Sequence, residues 1–224
     1  MKKRLKRIGF AVDCFILPLF VPFLLKFKGI RKIHWSFDDV EYNIDSDSYY
    51  ISSKMNACIK ALSIPVTCFL YKLSGRANIV AEGNVRFGPH SMDVLNGTTF
   101  LPFTTCYARF HGYRAQLQDL AKWKDSLNGN IGILLCAHDS RRLSYDLNKN
   151  ESATVNESYF LRKNGLIYRK TNVRLEFPIF IQLLLCKKTE TLVVFGHEWG
   201  IDSWMNNAMR FVECCKKSGI EFLT

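Results

Sequence analysis

Short apolar runs alternate with amphipathic stretches along most of this chain. The runs rich in bulky and β-branched residues are typical of strands. They lie at 30–37, 64–73, 79–88, 104–110, 132–137, 192–195 and 220–223, with two more between 158 and 177 around the hairpin signal Asn164-Gly165. Apolar residues at helical spacing predict helices at 45–62, 114–123, 179–186 and 202–217, whereas the polar stretch 146–158 is expected to be a loop.

The order of these elements predicts the fold class. Strands and helices alternate, which favours an α/β protein with a largely parallel sheet or barrel. Several polar clusters follow directly after predicted strands, and the carboxyl ends of the strands are where α/β barrels build their sites. These polar clusters are therefore the best candidates for a catalytic or binding site.

The N-terminal segment, residues 1–28, differs from the rest and is predicted to be a separate membrane-proximal unit before a domain at 29–224. Its run Ile8–Leu25 is almost wholly apolar, with Asp13, Pro18 and Pro22 as interruptions. Asp13 would be costly inside a bilayer, and two prolines weaken a helix. Two interpretations stay open: an interfacial or re-entrant anchor on an anionic leaflet, or a first helix that packs on the domain's own core.

The charge and the cysteine content of the chain indicate its binding partners and its cellular compartment. The 224 residues carry a formal net charge of +11, much of it in basic residues on either side of the apolar run. This distribution favours an anionic membrane surface, while the absence of a nucleic-acid-binding motif argues against nucleic acid. None of the 8 cysteines forms a Cys-x-x-Cys pair, which favours reduced thiols and a location on the cytoplasmic face of a membrane.

Two adjacent carboxylates, Asp38 and Asp39, follow the first predicted strand and are the strongest chemical signal. If the strand ends meet at one mouth, Asp39 and His90 are candidate ligands of a divalent metal ion, and Asp38 is a candidate base for a metal-bound water. Arg109 is expected to pair with Asp38 and lower its pKa. His197 is a candidate acid for a leaving nitrogen. Together these roles describe metal-assisted hydrolysis of an amide.

These residues resemble the polysaccharide deacetylase (NodB homology) family. Ser36-Phe37-Asp38-Asp39-Val40 is similar to the family's first motif, Thr/Ser-Phe-Asp-Asp-Gly. Pro89-His90-Ser91 resembles the start of its His-Ser/Thr-x-x-His motif, and Arg109-Phe110-His111-Gly112-Tyr113 resembles its Arg-x-Pro-x-Gly motif. Phe195-Gly196-His197-Glu198-Trp199 resembles the late strand that bears the catalytic histidine. The resemblance implies a distorted (β/α)-barrel of about seven strands, which removes acetyl groups from sugars with a bound divalent metal ion such as zinc.

The chain departs from the family pattern at two positions. Val94 stands where the family has its second metal-binding histidine, which leaves His111 or His138 to substitute, and Val40 stands where the family has glycine. A catalytically degenerate protein that binds carbohydrate or serves as a scaffold is therefore an alternative to the hydrolase. A third possible function is that of a basic peripheral membrane protein. An exposed Trp199 beside a sugar site is expected to stack on a pyranose ring.

Overall fold

The computed structural model describes residues 2–43, 48–73, 84–89, 107–110, 131–135, 153–155, 160–163, 166–169 and 172–223. The helices are α1 (Lys2–Lys28), α2 (Ser53–Leu62), α3 (Ile179–Leu185) and α4 (Ile201–Lys217). The strands are β1 (Lys32–Asn43), β2 (Ser48–Tyr50), β3 (Val66–Leu73), β4 (Val85–Pro89), β5 (Tyr107–Phe110), β6 (Ile131–Leu135), β7 (Ala153–Val155), β8 (Phe160–Lys163), β9 (Leu166–Arg169), β10 (Asn172–Arg174), β11 (Thr191–Gly196) and β12 (Glu221–Leu223). The predicted α/β class, its parallel sheet and its N-terminal apolar helix are confirmed.

Strand β1 lies at the centre of the main sheet, whose order is β10-β11-β1-β3-β4. The pairings along this order are all parallel. The short strand β12 also pairs in parallel with the start of β1, and β2 pairs antiparallel with its end. Parallel neighbours bring their carboxyl ends to the same edge of a sheet, so whatever follows β1, β10 and β11 is gathered there.

A closed barrel is not shown by the described strands. They form the seven-stranded main sheet, a separate parallel sheet β5-β6-β7 and the antiparallel pair β8-β9. The pair β8-β9 flanks Asn164-Gly165, so the hairpin that this dipeptide predicts is present. The two parallel sheets together account for the α/β class without closing into a ring within the described part of the chain.

The alternation of β1 separates an apolar face from a polar one. Trp35 and Phe37 point to the side of α4, where Trp35 packs 6.2 Å from Phe211 and Phe37 stacks 6.0 Å from Trp204, measured between ring centroids. Because successive strand residues face opposite sides, His34, Ser36 and Asp38 lie on the other face; all of them are buried. One strand thus anchors the core and also carries a polar row that ends at Asp38.

Several predicted boundaries are wrong, each for a local reason. The helix predicted over 45–62 begins only at Ser53, capped by the Ser52 hydroxyl accepting from the Met55 N–H at 3.1 Å. The preceding residues instead form β2, because β1 continues to Asn43 and offers an edge to pair with. Strand β7 lies inside the predicted loop, and α4 starts after Gly200 without a side-chain cap at Asp202. The helix predicted over 114–123 lies outside the described residues.

Helix α1 packs on the domain with one of its faces. The Asn207 amide of α4 donates to the Phe10 carbonyl at 3.0 Å, and the Cys14 thiol donates to the Asn207 side chain at 2.8 Å. The prolines do not break the helix. Pro18 has no N–H for the Cys14 carbonyl, and the Arg210 guanidinium of α4 donates to that carbonyl instead, at 3.3 Å. By length and composition alone, Ile8–Lys28 also qualifies as a membrane anchor or a signal segment.

Asp13 joins α1 to the start of α3. Its carboxylate is 2% exposed and accepts hydrogen bonds from the backbone N–H groups of Ile179 and Phe180. These are orphan donors of the first helical turn, and a carboxylate there satisfies them. Burial raises the pKa of Asp13 from 3.8 to about 6, and the two backbone hydrogen bonds oppose that rise. The residue that seemed to interrupt the apolar run is therefore a tertiary link.

Replacing Asp13 with asparagine should flatten the pH dependence of folding between about pH 4 and 6. A raised carboxyl pKa means that the folded state binds the proton more tightly, so this group's contribution to stability is complete below 3.8 and is lost as the pH rises through about 6. The side chain of Asp13→Asn carries no charge, and its one oxygen can still accept from Ile179 N–H, the shorter of the two hydrogen bonds, which go to different carboxylate oxygens. We expect the variant to gain roughly 1–3 kcal/mol at pH 7, measured by urea unfolding. A loss of stability at pH 7 in Asp13→Asn, matching the loss in Asp13→Ala, would contradict this.

Candidate active site

Three adjacent parallel strands deliver three ionisable side chains to one edge of the sheet. Phe37 of β1 pairs with Gly196 of β11, and Arg174 of β10 pairs with Phe195. If the β1–β11 pairing continues by one residue and the β10–β11 pairing by two, Asp38 and Glu176 both lie opposite His197, one on each side. The side chains that follow the ends of β1 and β11 were predicted to meet in this way, and the structure brings Asp38 and His197 together.

The two adjacent carboxylates were predicted to follow the first strand, but they lie inside β1, at a β-bulge in its pairing with β3. Phe37 pairs with Cys68 and Val40 with Leu70, so β1 has one residue more than β3 between these points. A bulge bends a strand locally and re-aims the side chains beside it. Here it interrupts the pairing with β3 at Asp38 and Asp39, while β1 continues to Asn43 and the register with β11 still sets Asp38 beside His197.

Glu176 holds His197 through two hydrogen bonds to one carboxylate oxygen. The Oε1 atom accepts from the His197 backbone N–H at 2.6 Å and lies 2.8 Å from the imidazole Nδ1. Because a carboxylate has only lone pairs to offer, Nδ1 carries the proton of this pair. The hydrogen bond fixes both the ring orientation and the tautomer, and it leaves Nε2 as the reactive nitrogen.

Arg174 binds the second oxygen of the Glu176 carboxylate and so holds His197 in place indirectly. Its Nε donates to Glu176 Oε2 at 2.9 Å, and the Glu176 side chain is fully buried. Burial alone would raise the pKa of Glu176, but the hydrogen bond from His197 and the charges of His197 and Arg174 outweigh it, so that pKa lies below its usual 4.5. Glu176 is thus held ionised between two donors.

The side of His197 that faces away from Glu176 meets Asp38 and an open cavity. The His197 Nε2 lies 4.0 Å from Asp38 Oδ2, and the Asp38 side chain is fully buried. A cavity of about 540 Å³ opens beside His197 and is also lined by Lys54 and the segment 198–202. Trp199 borders it, 53% exposed, with its ring 5.4 Å from that of His197. The Arg174 guanidinium also lies 5.1 Å from the centre of the Trp199 ring.

The remaining predicted site residues are not placed by the described part of the chain. Asp39 lies in the bulge of β1 and Arg109 in β5, and the structure describes the backbone but not the side chain of each. His90 and His111 lie outside the described residues. Among the described side chains, no group of three or more His, Cys, Asp or Glu residues is suited to a metal ion. The predicted metal site therefore stays a prediction.

Glu176 and Arg174 were missed by the sequence interpretation. The stretch Asn172-Val173-Arg174-Leu175-Glu176 belongs to a β-rich run, in which the charged residues at alternate positions suggest only a solvated face. The usable signal was their place at the end of a strand, the criterion that selected Asp38 and His197. Because β10 has only 3 residues, its pattern does not stand apart from the preceding hairpin, and the end of this strand is not visible in the sequence.

Replacing Gly196 with alanine should destabilise the fold by roughly 1–3 kcal/mol. A Cβ at this position would lie 2.9 Å from Leu175 Cδ1 and 3.1 Å from Leu175 Cβ, so the buried Leu175 side chain would have to shift. Because Leu175 precedes Glu176, we also expect the hydrogen bonds to His197 to lengthen. Urea unfolding measures the first effect. Unchanged stability of Gly196→Ala would contradict the close approach.

Comparisons with protein-family models, with curated proteins and with solved structures each found no match to this chain. The class of site is therefore defined by geometry alone. It is a histidine held by a buried, ionised glutamate beside a second buried carboxyl group, at the carboxyl edge of a parallel sheet.

Proposed function

We propose that this protein is a hydrolase that removes acetyl groups from amide- or ester-acetylated sugars of a polysaccharide or lipid-linked glycan. The observation that carries the proposal is the His197 imidazole, which Glu176 fixes beside Asp38 at the mouth of a cavity. A histidine with a set tautomer next to a carboxylate is the arrangement that general acid–base catalysis needs. The resemblance of residues 36–40 and 195–199 to the polysaccharide deacetylase family supports the choice of substrate.

The proposed reaction divides two proton transfers between two side chains. Asp38 accepts a proton from water as the water oxygen bonds to the acyl carbon. The bond from that carbon to the sugar nitrogen or oxygen then breaks, and His197 in its imidazolium form, which carries a second proton on Nε2, donates that proton to the leaving atom. The proton taken up by Asp38 then returns to Nε2, 4.0 Å away, which restores the imidazolium. The products are acetate and the deacetylated sugar. Glu176 and Arg174 are positioning residues, while the half-exposed Trp199 ring offers a stacking surface for a pyranose.

The proposed cofactor is a divalent metal ion, zinc first among the candidates, with Asp39, His90 and His111 as its proposed ligands. When bound, such an ion supplies a Lewis acid for the acyl oxygen. The described donors do not complete a metal site, because Glu176 engages His197 Nδ1, which leaves His197 Nε2 and the Asp38 carboxyl group, 4.0 Å apart. Catalytic zinc sites use three protein ligands. The proposed proton transfers therefore involve only Asp38 and His197. The pairing of Arg109 with Asp38 is a further proposal.

We further propose that the protein works at a membrane, on its cytoplasmic side. The apolar face that α1 leaves exposed supports a membrane location. The cytoplasmic side is supported by the thiols, since the cysteines in the described part of the chain form no disulfide: Cys14, Cys58, Cys68, Cys186, Cys214 and Cys215. Burial raises the pKa of Cys58 to about 12, so this thiol is inert as well as unpaired.

The experiment that tests the proposal is acetate release from a panel of N-acetylated and O-acetylated oligosaccharides by the zinc-supplemented full chain. Asp38→Asn should lose activity while keeping the wild-type melting temperature, and Glu213→Gln, an exposed charge removal on α4, should keep it. Full activity in Asp38→Asn would contradict the mechanism. Binding of an oligosaccharide without acetate release from any member of the panel would favour the degenerate carbohydrate-binding protein. Metal content of the wild type and of Asp39→Ala tests the cofactor separately.

A further inference from the structure

We infer that the outer faces of α1 and α3 form one surface that docks the protein onto an anionic lipid bilayer, with α1 lying along the interface instead of crossing it. The inference rests on the proposed membrane location but not on the proposed hydrolysis. We call this surface the docking face. Its members are the exposed large apolar side chains of the two helices: Ile8, Val12, Phe15, Leu19, Phe20, Phe23 and Phe27 of α1, and Ile181, Leu184 and Leu185 of α3.

The docking face is continuous and strongly exposed. Phe15 is 78% exposed and Leu19 73%, while Leu185 on α3 is 64% exposed. The two helices meet where the ring of Phe20 lies 5.9 Å from that of Phe180. Soluble monomers rarely expose an apolar patch of this extent, and when they do it usually marks a binding surface.

The buried face of α1 argues against a spanning helix. Leu17 and Val21 are fully buried against the domain, and Asp13 is committed to the backbone of α3. Crossing the bilayer would strip α1 from α3 and α4, leave the first turn of α3 without its cap, and place a carboxyl group in hydrocarbon. A helix with one face on its own domain and an apolar face outward has the geometry of an interfacial element.

The charges at the two ends of the docking face indicate anionic lipid as its occupant. At one end, Lys28 and Lys188 lie 5.9 and 5.5 Å from the centre of the Phe27 ring, and exposed Lys26 and Lys187 adjoin them. At the other end the sequence of α1 begins with five basic residues: Lys2, Lys3, Arg4, Lys6 and Arg7. The apolar band between them is ~29 Å long at a rise of about 1.5 Å per residue. Lysines flanking an apolar band can pair with anionic headgroups while the aromatic rings enter the acyl boundary.

The same charges disfavour a second copy of the chain as the occupant. The sequence of α1 is basic at both ends, so a second copy laid along it in either direction would bring basic segments together. Like charges juxtaposed across an interface are unfavourable. Anionic lipid satisfies both ends at once.

The test is flotation of the full chain with vesicles of phosphatidylcholine and phosphatidylserine, and with phosphatidylcholine alone. We compare the wild type with Phe23→Glu on α1, Ile181→Glu on α3 and Ala61→Glu, an equivalent change at an exposed position of α2. The wild type and Ala61→Glu should bind the anionic vesicles, less so as salt rises. Both Phe23→Glu and Ile181→Glu should lower the partition coefficient about tenfold or more, since burying one large apolar side chain contributes such a factor.

The outcomes separate the inference from the proposed membrane location. If Phe23→Glu loses vesicle binding while Ile181→Glu binds like the wild type, α3 is not part of the docking face. That result would overturn the inference and favour α1 alone as the anchor. No binding by the wild type, with a dimer on size-exclusion chromatography, would overturn both. Should the glutamate variants fail to fold, hydroxyl-radical footprinting of the wild type decides. Vesicles should protect side chains of both helices, including Phe15 and Leu185, and protection confined to α1 would overturn the inference.

Discussion

Glu176→Ala is expected to cost about 3–5 kcal/mol of folding free energy, because it removes one partner of a buried ionic network. The Arg174 side chain, only 15% exposed, would lose its carboxylate. The His197 backbone N–H, which now donates to Glu176 at 2.6 Å, would be buried without an acceptor. Urea unfolding at pH 7 measures the effect.

Glu190→Ala is the matched control for this variant. Glu190 also pairs with a cation, Lys32 at 3.3 Å, but its side chain is 63% exposed, so we expect a change within about 0.5 kcal/mol. The pH dependence of the free energy of unfolding gives a second test of the buried network. Because the pKa of Glu176 is lowered on folding, its contribution is present above 4.5 and is lost as the pH falls through the folded-state value. Similar costs for Glu176→Ala and Glu190→Ala would contradict the buried network.

His197→Gln is expected to lower kcat/KM for acetylated oligosaccharides by a factor of about 10²–10⁴, the usual contribution of a general acid–base residue. Glutamine can still donate to Glu176 through its amide, so the fold should be largely kept, but it cannot transfer a proton. The measurement is the pH profile of kcat/KM for the zinc-supplemented full chain. One limb of the profile should be lost in His197→Gln.

A positioning role for Glu176 predicts a different kinetic result. Glu176→Gln should retain both limbs but shift the one that belongs to His197, with a smaller fall in kcat. Glu213→Gln should leave the profile unchanged. Wild-type kcat/KM in His197→Gln would show that the imidazole takes no part in the reaction.

Two of the three strands that carry the candidate site, β1 and β11, could be predicted because each has a continuous apolar pattern. The runs that became β1, β3 and β11 are long enough to identify, and the polar residues after β1 and β11 are easily seen. Parallel pairing then brings Asp38 and His197 to one edge without further information. The bulge at Asp38 could not be predicted, because it depends on the register between β1 and β3.

Tertiary contacts account for the features that the sequence did not predict. Glu176 is buried and ionised only because Arg174 and His197 enclose it, and a local pattern cannot distinguish that from a solvated charge. Asp13 looked like an interruption because its partners, Ile179 and Phe180, lie far along the chain. The sequence left α1 open between an interfacial anchor and a core helix. In the structure one face packs on the core and the opposite apolar face is exposed.

The central claim is that Glu176 fixes His197 with its proton on Nδ1 and Nε2 directed at Asp38. Nitrogen NMR of the histidine side chains tests this most directly, with the His197 signals among the 5 histidines identified by their loss in His197→Gln. The account predicts that Nδ1 of His197 stays protonated and hydrogen-bonded at every pH at which the protein is folded, and that its signal shifts in Glu176→Gln. A neutral His197 with its proton on Nε2, or a signal indifferent to Glu176→Gln, would contradict the account.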